Sequence, residues 1–299
     1  MNFLAITVLA SGLAAGSLAI FNLSYNIWTF PLGILAASLA TAAFPTLAQE
    51  ASNKDWPVFA KTFSLAFRQI LFLIIPSSAL LIVLRAQIVR VILGTGKFGW
   101  TDTILTINSL QYLTVGLFAE ALMLLLVRGF FALEDTKTPF WLGIVGSVFR
   151  ISGAWFFSFF LGVGGLALGY AVGGIINMIL LWFFLRQKVA RLARQDTGES
   201  GRGSLNEKEI FISGLKIFVA SLVAAASAYG MLRVMDFWVN TQKTLGIFSQ
   251  GLVAGLVGLL VYFLAGLLLR SPEIQTFWQT IRNRLPFKTV APDKELIQD

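Results

Sequence analysis

Two ionisable side chains stand inside long apolar runs where water would not solvate them. Glu120 lies near the middle of the run 103–131, and Arg150 near the middle of the run 139–161. An ionised group at such depth costs roughly 2.5–3.5 kcal/mol on insertion scales, so it faces a cavity or an opposite charge. Glu120 precedes Leu133 by 13 residues, and Arg150 follows Pro139 by 11. At 1.5 Å per helical residue these are depths of about 20 and about 17 Å from the same end. Consecutive antiparallel helices therefore bring the two charges to one level. Two roles fit: an ion pair that ties the hairpin together, or charge offered to a polar substrate in a cavity.

A second polar group lies in the first apolar run. Asn22, Asn26 and Thr29 follow at i, i+4 and i+7, so they share one helix face. Such a stripe lines a polar cavity or hydrogen-bonds a neighbouring helix. Bond-making chemistry finds little support. The chain has no Cys and no His, which removes thiolate nucleophiles, imidazole bases and the usual zinc and haem ligands. No catalytic residue, metal site or cofactor is expected. An intramembrane glycosyltransferase would need an acidic cluster at a membrane face. Glu134-Asp135 is the one candidate with motif character between spans, and a helix-capping role explains it better. Gly162 to Gly174 lacks the Lys-Ser/Thr ending of a phosphate loop and reads as close helix packing.

The elements that position these groups follow from composition. Of the 299 residues, 57% are hydrophobic and 13% charged, against about 25% charged in soluble domains. Lipid is the solvent such a chain requires. A membrane helix needs about 20 apolar residues. Runs of that kind occur at 16–44, 63–84, 103–131, 139–161, 164–186, 209–233 and 245–269. The fold class expected is all-α: a polytopic helical bundle with seven full spans, some kinked, and a partial N-terminal helix. Asn2 to Leu13 is too short to cross and has no basic flank of a signal peptide, so it reads as the second half of a helix. Segments 45–62, 85–102, 187–208 and 234–244 are expected to be irregular, with a short apolar piece at Ile88 to Leu93. Pro31, Pro45 and Pro76 are expected to kink the first two spans. The tail from 270 reads as an interfacial amphipathic segment.

Charge sets the orientation. The net charge is +8, and its placement between apolar runs points to membrane topology, with no nucleic acid as partner. One set of span ends carries 16 Lys and Arg and the other five. The positive-inside rule puts the first set, and the C-terminus, in the cytoplasm. At 135–139, Asp135-Thr136-Lys137-Thr138-Pro139 joins two spans; Thr138 is expected to cap the second helix and Pro139 to sit in its first turn.

Three stretches carry a resemblance. They are Phe44-Pro45-Thr46-Leu47, Gly96-Lys97-Phe98, and Arg128-Gly129-Phe130-Phe131-Ala132-Leu133 running into Asp135 to Pro139. In order and spacing, from about residue 1 to 190, they are similar to the MurJ (MviN) lipid II flippases of the multidrug/oligosaccharidyl-lipid/polysaccharide exporter superfamily. The resemblance implies fourteen helices in two six-helix lobes plus a C-terminal pair, with this chain beginning inside the seventh. It implies outward flipping of undecaprenyl-pyrophosphate-linked peptidoglycan precursor by alternating access in the bacterial cytoplasmic membrane. Ion or membrane potential would drive it, and the last helix pair would form a groove for the lipid tail. On that reading the chain divides into lobe helices over 1–190, a cytoplasmic loop over 191–208, the extra pair over 209–270 and a cytoplasmic tail over 271–299. Its partners are the lipid-linked precursor, membrane lipids and an N-terminal lobe. Two departures stand out. The lobe that carries the family's arginine cluster is not in this sequence, and an Asp-Arg pair of some members is replaced by Tyr25-Asn26. The rivals are a flippase for another lipid-linked oligosaccharide, the glycosyltransferase already weighed, and a membrane scaffold.

Overall fold

A computed structural model describes residues 2–94, 99–197, 207–239, 243–269 and 273. The described residues are helical, with no strand among them. In chain order the helices are α1 (Asn2–Ser11), α2 (Ser17–Pro31), a π-helical turn (Leu32–Ala36), α3 (Ala37–Ser52), α4 (Trp56–Leu93) and α5 (Trp100–Val115). There follow α6 (Leu117–Ala132), α7 (Lys137–Leu161), α8 (Val163–Thr197), α9 (Glu207–Asp236) and α10 (Thr244–Leu268). Six are long and apolar enough to cross a membrane, counting α2 to α3 as one, and the bent pair α5–α6 makes a seventh. The chain is a multi-pass helical membrane protein.

Each proline has a different consequence. Pro31 ends α2, and the next turn relaxes to π geometry over Leu32–Ala36, as expected where an i→i−4 bond is lost. Pro45 sits within α3 without ending it. Pro76, inside α4, cannot donate to the carbonyl of Phe72. That carbonyl accepts instead from the Tyr262 hydroxyl of α10, at 2.7 Å. Ser77 and Ser78 bond back to Leu73 and Ile74 at 2.6 and 2.8 Å. The backbone freed by a membrane proline is thus satisfied by the neighbouring helix.

The expected single run 103–131 is two helices, bent by 43° at Gly116. No proline is responsible. A Cβ at Gly116 would fall 2.8 Å from the Ala171 Cα, so glycine lets α8 press against the bend. Close approach recurs in the α7–α8 hairpin. It turns on Gly162, whose φ of 56° is in the left-handed region. A Cβ at Gly169 would lie 2.1 Å from the Ala154 nitrogen. On α10, Gly251, Gly255 and Gly258 seat Gln87, Leu84 and Leu80 of α4, the small-residue packing that membrane helices use.

Helix ends differ from the expectation at three places. The α3–α4 connection is only a few residues, because α3 runs to Ser52 and α4 begins at Trp56. Ile88 to Leu93 forms the last turns of α4. Residues 187–197 continue α8 past its apolar run. Hydropathy locates the part of a helix that lipid covers, and a helix can extend beyond it into water with polar side chains. The end of the bundle that holds Asp135 also carries Lys54–Asp196 at 3.1 Å, with Trp56 Nε1 donating to Asp196 at 2.9 Å.

Candidate functional site

Arg150 and Glu120 form an ion pair. It lies where α6, α7 and α8 meet, and its asymmetry matters: the Arg150 side chain is 3% exposed and that of Glu120 15%. Glycine makes the room. A Cβ at Gly173 would lie 2.6 Å from Arg150 Cα and Cγ, and one at Gly174 would lie 2.8 Å from the Glu120 carboxylate. One turn before, Tyr170 puts its ring 4.4 Å from the guanidinium, a cation–π contact in a water-poor place. Met123 accepts from Asn177 Nδ2 at 3.0 Å and lies 3.9 Å from an Arg150 nitrogen. Tyr170 in turn meets the rings of Phe21, Tyr25 and Trp28 on α2, at 5.8–6.5 Å.

Glu120 also reaches a cavity of about 400 Å³. Its wall is α6 from Glu120 to Phe131, with Thr41 and Phe44 of α3 opposite. Arg128 lies on the same wall and is held at 3.3 Å from the Ala37 carbonyl and against the Thr41 hydroxyl. The cavity thus carries one carboxylate deep inside and one guanidinium nearer the Asp135 end.

The Asn22, Asn26 and Thr29 stripe is placed elsewhere. None of the three lines the Glu120 cavity. Asn26 is exposed on α2, and Thr29 donates to the Asn26 carbonyl at 3.0 Å. The stripe continues along the exposed face of α3 through Ser38, Thr41 and Gln49.

In the hairpin motif, the capping residue is Asp135 and not Thr138. Asp135 accepts from the Thr138 backbone at 3.0 Å, from its hydroxyl at 2.6 Å and from Lys188 of α8 at 2.6 Å. Burial opposes the charged carboxylate, but these bonds outweigh it and hold the group down at about 2. Thr136 and Lys137 enter the turn, and Pro139 is buried in the first turn of α7. Glu134, at φ 55°, ends α6 in a left-handed turn; Asp135 N and Glu134 N close it on the Phe130 and Phe131 carbonyls. Lys54 at φ 58° repeats this at the end of α3, and Asp55 caps α4 there. Pro45 is exposed on α3. Gly96, Lys97 and Phe98 lie outside the described residues.

Three contributors, Met123, Tyr170 and Asn177, were not singled out, and Arg128 was noted only within the family-like stretch. Met123 and Arg128 follow Glu120 at i+3 and i+8, on its own face, which was the available signal. Tyr170, Gly173, Gly174 and Asn177 likewise share one face of α8, but nothing local says which helix that face meets.

The model of the family described as "Lipid II flippase MurJ" matches residues 1–249. The chain belongs to the lipid II flippase MurJ family. A probable lipid II flippase MurJ of Vibrio cholerae is 29% identical over 278 residues, covering 92% of this chain and 50% of that one. The Thermotoga maritima relative of the same name is 33% identical over 172 residues, 58% of this chain and 35% of that one. Among solved structures, a lipid II flippase MurJ in an inward closed conformation superposes with a TM-score of 0.69 at 23% identity, covering 94% of this chain and 51% of that one. A superfamily transporter from Pyrococcus furiosus gives 0.52 at 18% identity, covering 93% and 63%. These two likenesses establish the fold. The chain spans about half the length of the family members it matches.

Proposed function

We propose that this chain supplies the second lobe and the additional helix pair of a lipid II flippase of the bacterial cytoplasmic membrane. The observation that carries the reading is the family match over residues 1–249 together with a superposition that covers about half of a lipid II flippase. The lobe spans about residues 1–190, the pair about 209–270, and the chain crosses with its C-terminus in the cytoplasm, as the 16-to-five bias of Lys and Arg supports. The cargo is a polyprenyl-pyrophosphate-linked peptidoglycan precursor. Its head group needs a hydrated, partly cationic path, while its tail stays in lipid. The exposed α2–α3 stripe and the Glu120–Arg128 cavity form this lobe's wall of that path, and the arginines of the other lobe complete it. Asn26 in place of an arginine reduces the share of positive charge on this side.

Growth of cells depleted of their own flippase tests the reading. Co-expression of this chain with the N-terminal half of a relative should restore growth, and the chain alone should not. Rescue by the chain alone, or no rescue by a well-expressed pair of halves, would contradict it. Orientation is tested apart from this: an introduced cysteine at Ser204 should resist an impermeant thiol reagent in intact cells, and one at Thr95 should react.

A further inference from the structure

The two members of the buried ion pair differ in a way that the cargo reading leaves unused. Arg150 is sealed, while Glu120 keeps a side open to the α3–α6 cavity. That cavity runs along α6 from Glu120 to Phe131, about 16 Å at 1.5 Å per residue. It therefore leads from the level of the pair toward the Asp135 end of the bundle. Its volume of about 400 Å³ admits several waters at about 30 Å³ each. A guanidinium does not give up its proton in a protein, so of the two partners only the carboxylate can change charge.

We propose that Glu120 is a proton-exchange site, loaded through the α3–α6 cavity, and that its protonation releases Arg150 from the ion pair. The proton passes from water in the cavity to a carboxylate oxygen, and no other bond changes. A neutral pair becomes a net single positive charge at mid-span. Arg150 is not stranded by this. The Tyr170 ring at 4.4 Å and the Met123 sulfur remain beside it, and the ring attracts the cation whether or not the carboxylate is ionised. Neutral Glu120 can then turn to the cavity. Two arrangements of the α6–α7–α8 junction result, one per protonation state. Because they differ by one charge within the membrane, both a proton gradient and a membrane potential bias the choice between them.

The groups around Glu120 are consistent with a single titrating carboxylate. Among the described residues, α7 contributes Arg150 and α8 contributes Tyr170. Tyr25 of α2 lies behind Tyr170. The α3 wall is Thr41 and Phe44, and Arg128 stands eight residues farther along α6. On α4, Phe63 packs at Gly129 of α6. On α5, Asp102 is at the far end and the Tyr112 ring packs at Gly164. The π-helical turn Leu32–Ala36 has no ionisable residue.

Infrared difference spectroscopy of the purified chain in lipid nanodiscs tests the proposal. Between mildly alkaline and mildly acidic buffer, a protonated-carboxyl stretch should appear reversibly. It should be lost in Glu120→Gln and should downshift promptly on transfer to heavy water, because the site exchanges through the cavity. Should Glu120→Gln fail to fold, isotope labelling of the glutamate carboxyls serves instead: the band should shift with the label, and in Glu120→Asp it should escape the label. A spectrum with no Glu120-dependent band, a band unchanged by pH, or a band that does not exchange in heavy water would overturn it. The measurement needs no cargo and no second lobe, so its failure would leave the flippase reading standing, and failure of growth rescue would leave this one standing.

Discussion

The outer faces of α3 and α7 are the instructive contrast. The spans Ser17–Ser52 and Lys137–Leu161 are the two least covered in the structure, yet their open faces differ in chemistry. On α7 the face is mostly Phe140, Trp141, Ile144, Val148, Trp155 and Phe159, with one exposed hydroxyl, Ser152, bonded back to the Val148 carbonyl, and its single interior charge, Arg150, turns inward. On α2 and α3 the open face mixes Phe30 and Ile34 with Asn26, Ser38, Thr41 and Gln49. A lipid-facing helix can satisfy a hydroxyl on its own backbone but gains nothing from exposed amides such as Asn26 and Gln49, whereas a helix beside a hydrated path can solvate them. Exposure alone therefore does not separate a lipid face from a cavity face; the side chains do.

The largest effect should come from the pair that joins the two regions. Arg150→Leu or Glu120→Leu breaks the pair, a loss of up to about 3–5 kcal/mol, which the Tyr170 ring beside Arg150 and protonation of Glu120 reduce. The double change should recover part of it. Yields of monodisperse chain and melting temperatures in detergent measure the cycle, and strictly additive losses would mean the two do not interact.

Next in size is a direct exchange of charge between the faces. Val148→Lys puts a cation against lipid near mid-span and should cost roughly 2.5–3.5 kcal/mol. Ser38→Lys, in an assembly that includes the second half, should cost less than about 1 kcal/mol because its ammonium reaches water. Equal losses in membrane insertion and melting would erase the distinction drawn between α3 and α7.

Smaller effects belong to the hairpin that lies on neither face. Asp135→Asn keeps an acceptor for Thr138 but loses the Lys188 pair, for about 1 kcal/mol. The Asp135 pKa falls from 3.8 to about 2 on folding. A depressed carboxylate stabilises above its unfolded value and ceases to as pH falls through the folded one. Melting curves of parent and variant should thus differ at neutral pH, converge between about 4 and about 2, and be unchanged by the second half. A gap that widens in acid would contradict the assignment. Smallest, Glu134→Gly should raise stability by about 0.5 kcal/mol, since glycine takes the left-handed position without strain. A lower melting point would show that the Glu134 side chain contributes more than its backbone costs.

Much of this architecture is legible because the bilayer dictates it. Seven apolar runs gave seven spans, since span length follows membrane thickness. The Glu120–Arg150 pair was legible from depth, because consecutive spans are antiparallel. Other features depend on packing between distant segments. The bend at Gly116 interrupts no apolar pattern; its cause is Ala171 on α8. Tyr170 and Asn177 join the site only because glycines bring α8 against α7. Arg128 opens a family-like stretch and adds to the charge at a span end, but its place on the cavity wall depends on Thr41 of a distant helix. The cap fell to Asp135 because a left-handed Glu134 turns its carboxylate toward Thr138.

Cysteine accessibility tests the central claim most directly, since the chain has no native cysteine to compete. Single cysteines at Asn26, Ser38 and Thr41, and at Ile144, Val148 and Trp155, would be challenged with a water-soluble thiol reagent in membranes holding both halves. The account predicts labelling at the first three positions and protection at the last three. Labelling along α7 with protection along α2 and α3 would contradict it.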